Sequence, residues 1–221
     1  NGTVTYTYTL RDDAKWSNGE KLTANDVERS WKRAVSKAVA ADYAYLFEAI
    51  VGGADAEGET DGHSLSVKAT SETTLTVDLV TDVPYWNELT AFPAFAPVYK
   101  TADVEGNWAS IENSANFICN GPMKIKEYND SKIEMVPNEH YTGTSVVNAT
   151  DITFAFSDDD SAMLNSYKSG SYAFIDSFPN DQIEQIKNQY TKEYFNVGQL
   201  GTYYVCWNIN DSTLTGNEHL K

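Results

Sequence analysis

Thr3 to Leu10 alternates threonine with Val4, Tyr6, Tyr8 and Leu10. A period of two predicts a half-buried β-strand with one largely aromatic face. Turn chemistry follows at Asp12-Asp13 and again at Ser17-Asn18-Gly19, around Lys15-Trp16, so a short hairpin or paired turn is expected. Thr23-Ala24-Asn25-Asp26 then reads as an N-cap with an acid three positions on. Val27, Trp31, Ala34 and Val35 recur at helical spacing, which predicts a helix over 24–37. From Val51 to Gly62 the chain turns to Gly, Asp, Glu, Ala and Thr, and a surface loop without core anchors is expected. Alternation resumes at Leu65–Lys68 and Thr74–Leu79, a second hairpin, and Pro84 opens a short aromatic helix over Tyr85–Leu89.

The second half of the chain has the same grammar. Asn116–Gly121 reads as a loop, and Met123–Tyr128 and Lys132–Val136 as strands joined at Asn129-Asp130. Ile152–Phe156 reads as a strand. A helix capped at Ser157 or Asp158 runs to about Lys168 and stops at Ser169-Gly170, and the apolar run Tyr172–Ile175 completes a strand, helix, strand order that suits a βαβ unit. Pro179-Asn180 opens a further helix with Ile183 and Ile186 inward. Tyr194–Val197 and Thr202–Ile209 look like strands, and the last twelve residues turn polar and fray. No internal repeat appears, and the composition shifts near residue 116, where a domain boundary is expected.

Composition restricts the function. The 221 residues carry 16 Lys and Arg against 32 Asp and Glu, a net charge of −16 with no basic run, which disfavours nucleic-acid and anionic-lipid partners. Aromatic residues make up 13%, too much sticky surface for a disordered acidic chain. The weakly polar stretch Ala91–Tyr99 is broken by Pro93 and Pro97 and is too short to span a bilayer. The opening Asn1-Gly2-Thr3-Val4 has neither a basic nor an apolar leader region, an expectation of a mature start upstream or a cytosolic protein. Cys119 and Cys206 stand apart from each other and from any histidine, so neither a disulfide framework nor a zinc set is expected.

Catalytic patterns fare poorly. Ser169-Gly170-Ser171 lacks the second glycine of a nucleophile elbow, and Gly52-Gly53 and Gly198–Gly201 lack the context of a phosphate loop. His63, His140 and His219 show no second ligand three to five residues away, and Asp158-Asp159-Asp160 fits a helix start better than a calcium loop. With 32 acids, a carboxylate pair for hydrolysis stays open, because spatial separation decides it. The aromatic groups say more: Tyr43, Tyr45 and Phe47 at alternate positions, and Tyr203, Tyr204 and Trp207 beside Asn208. Flat apolar rings with polar tips suit an extended peptide or a sugar, while ordinary core packing would account for either group and is favoured without other evidence. Solvent accessibility of Tyr45 and Tyr204 separates the two.

The run Leu10-Arg11-Asp12-Asp13-Ala14-Lys15-Trp16-Ser17-Asn18-Gly19-Glu20-Lys21-Leu22-Thr23-Ala24-Asn25-Asp26-Val27, continuing through Ser30-Trp31-Lys32-Arg33, resembles the signature of family 5 extracellular solute-binding proteins. Pro84-Tyr85-Trp86, Asn120-Gly121-Pro122, Pro137-Asn138-Glu139-His140-Tyr141, Ser169-Gly170 and Gly201-Thr202-Tyr203-Tyr204 follow in the family's order. The resemblance implies a mixed α/β, periplasmic-binding-protein type II-like fold. Residues 1–115 would be an accessory subdomain and 116–200 part of the main first lobe. Residues 201–221 would be a crossing strand leading to a hinge and a second lobe outside this chain.

It also implies a receptor and not an enzyme, without cofactor or metal. Such a receptor binds oligopeptides or other small solutes outside the cytoplasm, as a periplasmic protein or a cell-surface lipoprotein, and delivers them to the permease subunits of an ABC transporter. Carried over residue by residue, Tyr45 resembles the accessory-subdomain tyrosine that reaches the ligand, with Tyr43 beside it. Asp176, Ser177 and Phe178 resemble the segment lining the cleft, and Tyr203, Tyr204 and Asn208 the crossing strand. The Leu-Arg-Asp motif reads as structural, with Trp16 packed beneath the helix that begins at Thr23. A secreted hydrolase working through a carboxylate pair, and an interaction protein whose aromatics are all core, are the competing readings.

Overall fold

The computed structural model describes residues 2–103, 109–146, 148–199, 201–208 and 210. The chain divides into two compact units, Asn1–Phe156 and Ser157–Lys221. The compositional shift at 116 does not coincide with this division. Ser17 N–H donates to the Cys119 carbonyl at 2.7 Å, and Cys119 N–H donates to Ser17 Oγ at 3.2 Å, which ties the chain on either side of residue 116 together.

In the first unit, β1 (Val4–Thr9) pairs antiparallel with the central β3 (Thr74–Leu79), and β2 (Val67–Ala69) pairs on the other side. The hairpins are where the alternation puts them. Leu75, Val77 and Leu79 all point into the core, as a strict period of two requires. Against this face lies α1 (Ala24–Val35), two residues shorter than expected at its C-terminus, where Ser36 is already extended. The Asp26 carboxylate accepts from the Thr23 N–H at 2.9 Å and from the Thr23 hydroxyl at 3.0 Å, so the acid three positions past the cap does close the first turn. Trp31 and Val35 face inward, four residues apart on one side of the helix.

Trp31 is the hub of the core. Its ring meets Phe47, Trp86 and Phe95 edge-on, at centroid distances of 6.0, 6.2 and 5.2 Å, and its indole N–H donates to the Phe95 carbonyl at 2.8 Å. Trp86 lies on α3 (Trp86–Leu89), the short aromatic helix after Pro84, and its indole donates to the Tyr8 hydroxyl at 2.7 Å. Trp16, Leu22 and Tyr99 form a separate buried cluster into which Val27 of α1 packs, so Trp16 does sit beneath that helix. The segment 51–62 departs from expectation: α2 (Gly53–Ala56) forms there, and Gly53 and Ala56 are fully buried. Small residues anchor this part of the core by close backbone approach, which a count of large apolar side chains misses.

Asp78, on the central strand, accepts from Thr5 Oγ1 at 2.6 Å and from Ser66 Oγ at 2.7 Å, stitching the two neighbouring segments to β3. These hydrogen bonds, Thr5's foremost, hold its carboxyl below the usual aspartate range. A depressed folded value means the stabilisation is full above the unfolded value, about pH 4, and is lost as pH falls through the lowered folded value. Urea midpoints measured from pH 6 down to pH 2 should therefore show a smaller acid loss in Asp78→Asn than in the wild type. Identical acid slopes would refute this.

The second sheet of the first unit is β4 (Met123–Asn129), β5 (Lys132–Pro137) and β6 (Ile152–Ala155), all antiparallel. The turn at Asn129-Asp130 is as expected. Asn129 Oδ1 accepts from the N–H groups of Ser131 and Lys132 at 3.0 and 3.1 Å, which fixes the hairpin register.

In the second unit, α4 (Asp160–Lys168) is capped by Asp159, whose carboxylate accepts from Ala162 N–H at 2.9 Å, one position later than expected. Gly170, at φ +78°, ends it. A single 3₁₀ turn at Asn180–Gln182 leads into α5 (Ile183–Gln189), with Ile186 buried and Ile183 half-buried. Two expectations fail in this unit. Tyr172–Ile175 is irregular, so no βαβ unit forms, and Tyr194–Val197 and the described part of Thr202–Ile209 are irregular and mostly exposed. The amino acids suit strands, but among the described residues none of these segments has a neighbouring strand to take up its N–H and C=O groups. Ile209 and the tail from Asp211 onward lie outside the described residues. No described helix is long and apolar enough to cross a membrane.

Candidate functional site

The sequence-predicted residues fall into two groups, one in each compact unit. Tyr43 and Tyr45 sit at a 3₁₀ segment, Ala44–Ala49, in which Tyr43 is the N-cap. A 3₁₀ turn has three residues, so side chains three apart share a face. Phe47 is fully buried and stacks on Phe95 at 4.2 Å, while Tyr45 and Glu48 share an exposed face. The alternation of aromatics at 43, 45 and 47 therefore splits into one core residue and two surface rings. Tyr43 is 49% exposed and Tyr45 56%.

These rings are held and not loose. Tyr43 lies 6.2 Å from Tyr45 and 4.9 Å from Phe92, and Phe92 itself packs on the core. The segment after β3 is tied to the same 3₁₀ segment from the other side, since Val80 N–H donates to the Ala49 carbonyl at 3.0 Å. The result is an aromatic platform with a rigid back. Phe92 is a contribution that the sequence reading missed. The signal was the aromatic stretch after Pro84, read there only as a short helix.

In the second unit, Asp176 is exposed, Ser177 and Phe178 are half-buried, and the Phe178 ring meets Tyr194 at 6.2 Å. Tyr203 and Tyr204 are 100% and 73% exposed, and Asn208 is exposed with its Oδ1 accepting from the Asn210 N–H at 3.2 Å. Exposure of Tyr45 and Tyr204 sets aside the reading in which every aromatic is core. Cys119 and Cys206 are both free thiols.

One cluster departs from the expectation that the histidines stand alone. His63 Nδ1 lies 2.8 Å from Asp61 Oδ1 and 3.2 Å from Glu59 Oε2, an acid four residues back. The Asp61 hydrogen bond, then the Glu59 charge, raises the imidazole above its ordinary value. Glu59 also accepts from the N–H of Ser64 at 2.9 Å and from its hydroxyl, so the group knits the 59–64 turn together.

The sequence model of the bacterial extracellular solute-binding proteins, family 5, middle part, matches residues 1–220, and the chain belongs to this family. The periplasmic murein peptide-binding protein MppA of Escherichia coli K12 is 33% identical over 210 residues, which are 92% of this chain and 38% of that protein. The dipeptide-binding protein of Lactococcus lactis MG1363 is 33% identical over 212 residues, with 93% and 38% covered. Among solved structures, the Listeria monocytogenes OppA bound to peptide is 37% identical with a TM-score of 0.69, covering 76% of this chain and 33% of that one. The unliganded open form of MppA superposes with a TM-score of 0.77 at 29% identity, covering 85% and 37%. The chain thus spans about 38% of the length of the curated relatives it matches.

Proposed function

We propose that this chain is the central portion of a two-lobed receptor that binds oligopeptides outside the cytoplasm and hands them to the permease subunits of an ABC importer. In this reading residues 1–115 form the accessory subdomain, 116–200 part of the first lobe, and 201–221 the crossing strand toward a lobe encoded elsewhere in the polypeptide. The carrying observation is the platform of Tyr43 and Tyr45, exposed yet backed by Phe92, in a family whose matched relatives are named for binding peptides. Those names favour a grip over a cut, and the hydrolase reading is set aside.

Ligand would contact both lobes only when they close, so binding energy drives closure. Tyr45 and Tyr43 would contact the ligand, as would Asp176, Ser177, Phe178, Tyr203, Tyr204 and Asn208. An extended peptide would be held mainly through its backbone, with hydrated side-chain pockets adding little discrimination.

The test is calorimetric titration of short peptides into the full-length protein and into residues 1–221 alone. Tight binding by the full-length protein, lost by roughly tenfold in Tyr45→Ala and weak or absent in 1–221, is expected from the loss of one desolvated aromatic contact and of closed-state contacts. Peptide affinity in 1–221 equal to that of the full-length protein would refute two-lobe closure. An unchanged affinity in Tyr45→Ala would remove the platform from the site.

A further inference from the structure

The second sheet of the first unit has two unlike faces. The register of β4, β5 and β6 puts Ile125, Met135 and Ile152 in one row across the sheet, and Tyr128, Ile133 and Phe154 in another row on the same face. Phe156 continues this face, its ring meeting Tyr128 at 6.3 Å. Glu127 and Glu134, paired one position away, belong to the other face. There Lys132 reaches them at 2.7 and 3.0 Å, and Lys126 pairs with Glu134. A sheet with one apolar and one charged face is suited to burying the first. Yet none of these apolar side chains belongs to either buried core of the unit, and Phe154 and Phe156 are 54% and 48% exposed.

The edge of this sheet is open as well. β6 stands last in the order β4, β5, β6, and all four of its residues are exposed. Phe156 N–H donates to the Ser131 carbonyl at 2.9 Å, toward β5, so by alternation the N–H groups of Thr153 and Ala155 point away from β5. Among the described residues no strand lies on that side. An edge without charge or proline is a ready template for a further strand.

We propose that a strand from the part of the full-length polypeptide outside residues 1–221 pairs along β6 and sets apolar side chains beside Ile152 and Phe154. The chain covers 38% of MppA and of the dipeptide-binding protein, so a polypeptide of their length has ample sequence to supply the strand. A second copy is the poorer occupant, because two chains of net charge −16 repel each other. The inference rests on the reading of 1–221 as a central portion of the receptor and adds where the remainder docks.

The experiment places the photoreactive p-benzoyl-phenylalanine in place of Phe154 in the full-length protein, and separately in place of Phe156 should the first variant melt early. After irradiation, mass spectrometry maps the adduct, and amide exchange is followed at Thr153 and Ala155 in the wild type. The expected result is an adduct within one molecule to a segment outside 1–221, with both amides exchanging at least about a hundredfold more slowly than in an unstructured chain. An adduct to a residue within 1–221, an adduct between two molecules, no adduct at either position, or free exchange at both amides overturns the proposal. Peptide titration of the same wild-type protein separates the two readings. Tight peptide binding beside any of those outcomes leaves the receptor standing without this docking edge, whereas the expected adduct without peptide binding overturns the receptor and keeps the edge.

Discussion

Trp31→Ala should destabilise the first unit by about 3–5 kcal/mol, a large fraction of the roughly 5–15 kcal/mol that holds an ordinary domain together. Two losses add. Removing the indole empties the middle of a cluster in which Phe47, Trp86 and Phe95 each present an edge to it, and a cavity among rings held by α3 and by the 3₁₀ turns Ala44–Ala49 and Pro93–Phe95 cannot collapse cheaply. The Phe95 carbonyl then loses its 2.8 Å donor in the interior, where no competing partner is at hand. Trp31→Phe separates the terms: it keeps most of the ring volume, loses the hydrogen bond, and should cost about 1–3 kcal/mol. Urea denaturation followed by tryptophan fluorescence and by far-ultraviolet circular dichroism measures both. A midpoint for Trp31→Ala within error of wild type would show that the aromatic cluster is not the keystone of this unit.

That Trp31 is buried was legible in the sequence, because helical spacing from a capped start allows only one face inward. The same holds for β3, where Leu75, Val77 and Leu79 alternate with Thr and Asp, and for the hairpin at Asn129-Asp130, whose turn chemistry is local. What periodicity could not show was the role of small residues. Gly53 and Ala56 look like loop, yet they are buried because backbone presses on backbone there. The failed strands, Tyr172–Ile175 and Tyr194–Val197, illustrate the opposite limit. Strand propensity is a statement about fitting a pleated surface, and without a neighbouring strand it specifies nothing.

The candidate site was legible in part for a similar reason. Tyr43, Tyr45 and Phe47 invite a strand-like alternation, but a three-residue turn sorts them differently, with Phe47 inward and Tyr45 sharing its face with Glu48. Phe92 escaped notice because it acts across 49 positions of sequence, and no local pattern encodes which ring will stand behind Tyr43. The family resemblance supplied the tyrosines; only the packing shows what holds them.

Gly52→Ala should be the second most damaging change, at about 2–5 kcal/mol, and it bears on the site as well as on stability. Gly52 sits at φ +78°, a left-handed conformation that an alanine adopts only at a cost, and a Cβ there would come within 2.0 Å of the Ser64 carbonyl oxygen. That oxygen is backbone and cannot swing aside. Relief requires moving either the 62–66 segment, which feeds β2 through the Ser66 N–H to Val51 carbonyl bond at 2.8 Å, or the chain just before α2. The latter is the end of the 3₁₀ turn that carries Tyr45 and Glu48, so the strain has a short path to the platform. Gly52→Ala in the full-length protein is therefore expected to lower the urea midpoint and also to weaken peptide affinity, whereas Gly170→Ala, at φ +78° with open space around it, should cost only the conformational penalty of about 1–2 kcal/mol. Equal destabilisation by the two alanines would show that the Ser64 contact contributes nothing. A large loss of stability with peptide affinity unchanged in the fraction that stays folded would show that the platform is insulated from the strand edge behind it.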